Sequence, residues 1–220
     1  DFRLAVAHAI DPTPIVAGLL EGYATVIDAP ISGVIPNAPT SVKRLAYDPA
    51  KAKEYLAKAG YPNGITVDMV CQNGKYPMDK EIAQVIAQQL AQVGIRVNLK
   101  PTEFGQFQTL VKGQTISPLY VSGGNNVWFD ADPQITAFYG TGGALSTYSN
   151  PALDELIVKA RTSIDPDERV SIYETAYTMV RDEAAGIGLF SYTMVSAINS
   201  KLNWTPRPDA RIMAFDIGVK

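Results

Sequence analysis

Between Ile65 and Lys100 the chain reads ITVDMVCQNGKYPMDKEIAQVIAQQLAQVGIRVNLK, and this stretch limits the possible folds more than any other. Ile65, Val67, Met69 and Cys71 alternate with Thr66, Asp68 and Val70, the two-residue period of a strand with one face on a core. After the polar loop Gln72 to Pro77, Ile82, Val85, Ile86, Leu90 and Val93 recur at helical spacing. Gly94 supplies a left-handed position that ends the helix without a Cβ clash. A second alternation follows at once, with Ile95, Val97 and Leu99 opposed to Arg96, Asn98 and Lys100. The pattern predicts a βαβ unit with parallel strands, so both strands end on one edge beside a helix N-terminus. In open α/β sheets, ligands bind at that edge.

Composition excludes several classes of function. The 220 residues are 46% hydrophobic, enough for a substantial core, and carry a net charge of −3. Their Lys and Arg side chains are scattered, so nucleic acid is not an expected partner. No apolar run reaches bilayer length. Cys71 and His8 are each the sole residue of their kind, so no internal disulfide forms and neither a structural zinc site nor a Cys-His dyad is expected. Nucleotide cradles, zincins and serine-hydrolase elbows have no matching pattern, and no metal or cofactor is expected.

Helices are announced by an Asx-Pro device at Asp11-Pro12, Asp48-Pro49, Asn150-Pro151 and Asp165-Pro166, with Asp132-Pro133 as a fifth candidate. They predict helices over Pro12 to Leu20, from Pro49 to Ala59, over Pro151 to Ile164, and over Pro166 to Ala184. In the last, Val170, Tyr173, Tyr177 and Val180 are the buried stripe. Ala29 to Leu45 reads as an ordered surface loop. Phe104 to Lys112 reads as a short helix, and Thr115 to Ser122 as a strand confined to an edge by Pro118. Gly123 to Asp132 (GGNNVWFDAD) is the most irregular segment. Ile187 to Asn199 reads as a long central strand because its apolar residues occupy both parities, and a further strand is expected near Ile212 to Ile217. An apolar helical pattern is already under way at Phe2, as in a fragment cut from a longer polypeptide.

Four segments in order, FRLAVAHAID, YDPAKAKEYLAKAGYPNG, GKYPMDKEIAQVIAQQLAQVGIRVNL and YSNPALDELIVKARTSIDPDERVSIYETAYTMVRDEAAGIGLFSY, resemble family 5 of the ABC-transporter solute-binding proteins, the dipeptide, oligopeptide and nickel binders. The resemblance covers nearly the whole chain. It implies an α/β, type II periplasmic-binding-protein-like lobe, a mixed but mostly parallel sheet with helices on both faces. Residues 1–220 would form one lobe, the second of two, with the first absent. It implies a monomeric importer component that is periplasmic, or extracytoplasmic and membrane-associated. Its partners would be a small-molecule solute (a peptide, opine, glutathione-like compound or sugar derivative) and an ABC permease in the membrane.

The resemblance also implies which residues meet the solute. Gly74, Lys75 and Tyr76 follow the first strand of the βαβ unit; Gly124, Asn125, Asn126, Trp128 and Asp130 follow the strand ending near Ser122. Their chemistry suits such a role. Lys75, with the amides near Asp79, matches an anion, Asp130 an ammonium, Asn125 and Asn126 both donors and acceptors, and Trp128 a flat apolar group. The Gly-Gly-Asn-Asn run replaces the Gly-Trp and DPD-like segment of peptide-binding members, so dipeptide specificity is not implied. Two other functions use the same residues differently. One is a ligand-sensing domain of a transcription regulator or receptor; the other is a hydrolase pairing Asp130 with Asp132 or Glu103.

Overall fold

A computed structural model describes all residues 1–220. Its centre is the expected βαβ unit: β2 (Ile65–Gln72), α3 (Asp79–Gln92) and β3 (Ile95–Thr102), with the two strands parallel from Ile65↔Ile95 to Gln72↔Thr102. Gly94 adopts φ +94°, the left-handed geometry that turns the chain from α3 into β3. β4 (Leu119–Val121) joins β2 on its other side, also parallel, giving the order β3-β2-β4. It begins directly after Pro118 and lies at the edge, where a residue without an N–H costs the ladder nothing.

Helices cover both faces of this sheet. Met69 and Cys71 pack with α1 (Phe2–Ala9), α2 (Pro49–Lys58) and α3. Val70 points the other way, against Phe107 and Val111 of α4 (Phe104–Lys112). A second core is formed by α5 (Ala131–Tyr139), α6 (Pro151–Thr162) and α7 (Pro166–Asp182), where Tyr173 and Tyr177 are fully buried. Ile172 and Ala176 are buried in the stripe in which Val170 is only half-buried.

Side chains rather than pattern alone set the helix starts. Asp48, Asn150 and Asp165 each accept a hydrogen bond from a first-turn amide, and a proline follows each. Asp11 accepts from Thr13 N, yet the helical turn after it is a wide five-residue π-type turn, Ile15–Leu19, rather than an α-helix. The expected cap at Asp132 is displaced: α5 starts at Ala131 and its cap is Asp130.

Three further expectations are corrected. Ile187 to Asn199 is not a long central strand. Only Phe190–Tyr192 (β5) is extended in a ladder, antiparallel to β1 (Ala24–Val26) in a separate two-stranded sheet. Gly188 sits so close to the Ala29 carbonyl that a Cβ would lie 3.0 Å from it, and beyond Tyr192 the apolar Met194, Val195 and Ile198 are exposed. Apolar residues of both parities therefore reflect two different environments. Ala29 to Leu45 has no regular element, as expected, but Ile31, Ile35, Ala38 and Val42 are buried in the second core, so it is a packed segment rather than a surface loop. Near the C-terminus, Ala214–Asp216 is a 3₁₀ turn, and the pairing strands are β6 (Leu202–Asn203) and β7 (Gly218–Val219).

Candidate functional site

Because β2 and β4 are parallel neighbours, the loops that follow them leave the same edge of the sheet. They touch at once: a Cβ on Gly123 would lie 3.0 Å from the Tyr76 ring. Gly124 lies equally close to Phe138 of α5, with 2.9 Å from an added Cβ to its ring. These two glycines let the second loop pass close against both aromatic rings.

The first loop is shaped by Asp79. Its carboxylate accepts from the amides of Gly74 (3.3 Å), Lys75 (3.0 Å) and Tyr76 (3.2 Å) and from that of Lys80. The amide cluster expected to hold a solute anion is therefore filled by a carboxylate of the chain itself. What Lys75 presents is its side chain, with Nζ 4.4 Å from the centroid of the Phe104 ring and 5.8 Å from that of Tyr76. It has no carboxylate partner, so its charge faces outward on an aromatic support. Replacing Asp79 by alanine is expected to lower stability by about 1–2 kcal/mol, because three loop amides lose their acceptor; urea unfolding measures it.

Two residues join this edge that the sequence reading did not assign to it. The Tyr192 ring stacks on Tyr76 (centroids 6.3 Å, 18° between planes), and its hydroxyl donates to the Pro77 carbonyl at 2.8 Å. Burial, with the negative charge of Asp79 nearby, pushes the Tyr192 phenol up to about 12, so it stays a donor at neutral pH. Phe104, at the start of α4, is the support under Lys75. Both come from elements distant in sequence, and no local pattern singles them out.

In the second loop, Asn126 organises the backbone: its amide donates to the Asp130 carbonyl and its oxygen accepts from Trp128 N. Asn125 is exposed, and Trp128 is 69% exposed, not packed into either core. Asp130 has internal partners. It caps Asp132 N and receives Arg169 Nη2 at 2.7 and 3.0 Å. Burial alone would raise its pKa, but the Asp132 amide, Arg169 and Asn37 outweigh that and hold it below the usual carboxylate range. Asp132 is likewise paired, with Arg161, and Glu103 caps α4 through the amides of Gly105 and Gln106. All three carboxylates of the hydrolase alternative thus have structural partners. His8 stacks on Tyr55 and bonds the Ala46 carbonyl, while Cys71 is buried with its thiol pKa raised by that burial.

The parallel sheet thus carries, on the two loops at its C-terminal edge, an aromatic-backed lysine and an exposed tryptophan, and its architecture is that of the periplasmic binding proteins. The chain belongs to the bacterial extracellular solute-binding proteins, family 5, whose model matches residues 1–146. It is 32% identical over 213 residues to the glutathione-binding protein GsiB of Pectobacterium atrosepticum, a match covering 91% of this chain and 40% of that protein. Among solved structures, the DppA periplasmic binding protein of Helicobacter pylori in complex with the peptide STSA superposes with a TM-score of 0.80 at 23% identity, over 99% of this chain and 43% of that one. A dipeptide-binding protein of Pseudoalteromonas sp. SM9913 in complex with Met-Leu gives 0.84 at 19% identity, over 100% and 45%. At those identities the structures establish the fold. The chain thus spans about two fifths of the length of its curated relatives. No helix in it is long and apolar enough to cross a membrane.

Proposed function

We propose that residues 1–220 form one lobe of a two-lobed periplasmic protein that captures a peptide-like or other small polar solute and delivers it to an ABC permease. This lobe contributes one wall of the cleft: Gly74, Lys75 and Tyr76 from the first loop, and Gly124, Asn125, Asn126 and Trp128 from the second. Asp130 anchors the second loop through Arg169. The observation that carries the reading is the pairing of an exposed Trp128 with a Lys75 that has no acidic partner, on loops that meet at Tyr76 and Gly123. Exposed aromatic and cationic groups on one edge are what an opposing lobe and a polar guest would cover. With the nearby carboxylates engaged in caps and ion pairs, the wall is built to hold rather than transform its guest.

The test uses the two-lobed protein and a thermal-shift screen of glutathione, dipeptides, opines and sugars. A solute at a hundred times its Kd raises stability by roughly 2.7 kcal/mol. For the solute so found, Trp128→Ala is expected to weaken binding by about 10- to 100-fold, as for a desolvated aromatic anchor, and Lys75→Met by about tenfold. Unchanged affinity in both variants would remove these loops from the cleft.

A further inference from the structure

Two Asn-Gly pairs flank β2, Asn63-Gly64 before it and Asn73-Gly74 after it. Both asparagines are exposed. In such a pair the glycine nitrogen can close on the asparagine Cγ, because no Cβ stands in its way. In a folded chain the rate then depends on how firmly that nitrogen is held, and here the two pairs differ. Gly64 is locked by backbone. Its N–H donates to the Tyr61 carbonyl at 3.0 Å, an added Cβ would lie 2.5 Å from the Gly94 oxygen, and that oxygen accepts from Ile65 N where the parallel pair begins. Swinging the Gly64 nitrogen toward Asn63 means parting β2 from β3. The Gly74 amide is held by a side chain instead. It donates to Asp79 Oδ1 at 3.3 Å, and an added Cβ would meet nothing within 4 Å.

We infer that Asn73-Gly74 is a site of spontaneous deamidation and backbone isomerisation, and that Asp79 is the latch that slows it. Gly74 N bonds to Asn73 Cγ as the Cγ–Nδ2 bond breaks, and the proton of Gly74 N leaves with the side-chain amide as ammonia. Water then opens the succinimide ring, with no change of oxidation state. Cleavage of the new Cγ–N bond leaves aspartate; cleavage at the Asn73 carbonyl carbon leaves isoaspartate, whose main chain runs through Cγ and is one carbon longer. Either product places a carboxylate two residues before Lys75, the cation that rests on Phe104. Isoaspartate also lengthens the loop whose amides Asp79 gathers.

The two-lobed protein is incubated in warm, mildly alkaline buffer, folded or in guanidinium, and sampled over weeks. Both asparagines fall in one tryptic peptide, 59–75, so fragment masses assign the exchange of NH2 for OH to one or the other. In guanidinium the two sites are expected to convert at similar rates. In the folded protein Asn73 is expected to convert at least about tenfold faster than Asn63, because only Asn63 waits on the opening of a strand pair. Its product is a mixture that contains isoaspartate. Asp79→Ala is expected to raise the Asn73 rate about fivefold, the loss of one hydrogen bond, with Asn63 unchanged as the internal gauge of unfolding. Gly74→Ala puts a Cβ on the attacking residue and is expected to suppress conversion at Asn73 by about tenfold or more while sparing Asn63. Equal rates at the two sites in the folded protein, no conversion at Asn73 while the unfolded chain converts, or aspartate without isoaspartate would overturn the assignment. A rise at both sites together in Asp79→Ala, or at neither, would overturn the latch.

Discussion

Replacing Gly64 by alanine is expected to destabilise the protein by about 2–4 kcal/mol, whereas the same change at Gly60 costs about 1 kcal/mol. Both glycines have positive φ, +87° and +92°, so both pay the left-handed penalty. They differ in surroundings. A Cβ on Gly60 meets nothing within 4 Å, whereas one on Gly64 would sit 2.5 Å from the carbonyl oxygen of Gly94. That oxygen accepts the first hydrogen bond of the parallel pair, from Ile65 N at 3.0 Å. The methyl cannot be accommodated by a rotamer change, because its neighbour is backbone. It has to part β2 from β3 where their register begins. Urea unfolding of the two variants reads the difference as a shift of midpoint at constant m-value. Equal costs at the two sites would mean that the close approach of Gly64 to Gly94 contributes nothing.

That pair of glycines also explains why the βαβ unit was legible in the sequence. Alternation, amphipathic period and a glycine stop are local signals, and here each agrees with the packing. The Asx-Pro caps were legible for the same reason, except at Asp11, where a π-type turn follows, and in the segment DADP. There the structure chooses Asp130 over Asp132 and places Pro133 inside the first turn. Proline is tolerated at that point because the first amides of a helix have no intrahelical acceptor, so a missing N–H breaks no ladder bond.

Where the reading failed, the deciding contact was remote. Ile187 and Leu189 pack on the sheet core while Val195 is 73% exposed, and nothing in their spacing separates the two environments. Ile31 and Ile35 are buried because α5 to α7 offer them a face, not because of any period of their own. The candidate site divides in the same way. That two loops share an edge follows from parallel strands and could be read from the sequence. That Asp79 fills the first loop's amides, that Phe104 carries Lys75 and that Tyr192 holds Tyr76 required the fold.

Asp130→Ala is expected to cost about 3 kcal/mol, because one residue performs two tasks at the junction between the loop after β4 and the second core. Its carboxylate caps the amide of Asp132 and pairs with Arg169, whose side chain is 26% exposed and also bonds the Ala160 carbonyl. Removing it leaves a helix start open and a largely covered guanidinium without its anion. Asn at this position keeps the cap but loses the charge and one of the two oxygens that accept from Arg169, so Asp130→Asn is expected to cost about 1–2 kcal/mol, and its difference from Asp130→Ala measures the cap. The two variants also differ from wild type in a pH-dependent way. The folded pKa of Asp130 lies below its unfolded value, so the carboxylate's stabilisation is complete above the unfolded value and is lost as pH falls through the folded one. The gap between wild type and Asp130→Asn should therefore be constant near neutrality and shrink below about pH 4. Because Asn126 donates to the Asp130 carbonyl, loosening this junction also loosens the loop carrying Trp128. Asp130→Ala in the two-lobed protein is then expected to weaken solute binding about tenfold with no contact of its own to the solute, through the cost of ordering a free loop. A variant that loses stability but binds as tightly as wild type would show that Trp128 is positioned from elsewhere.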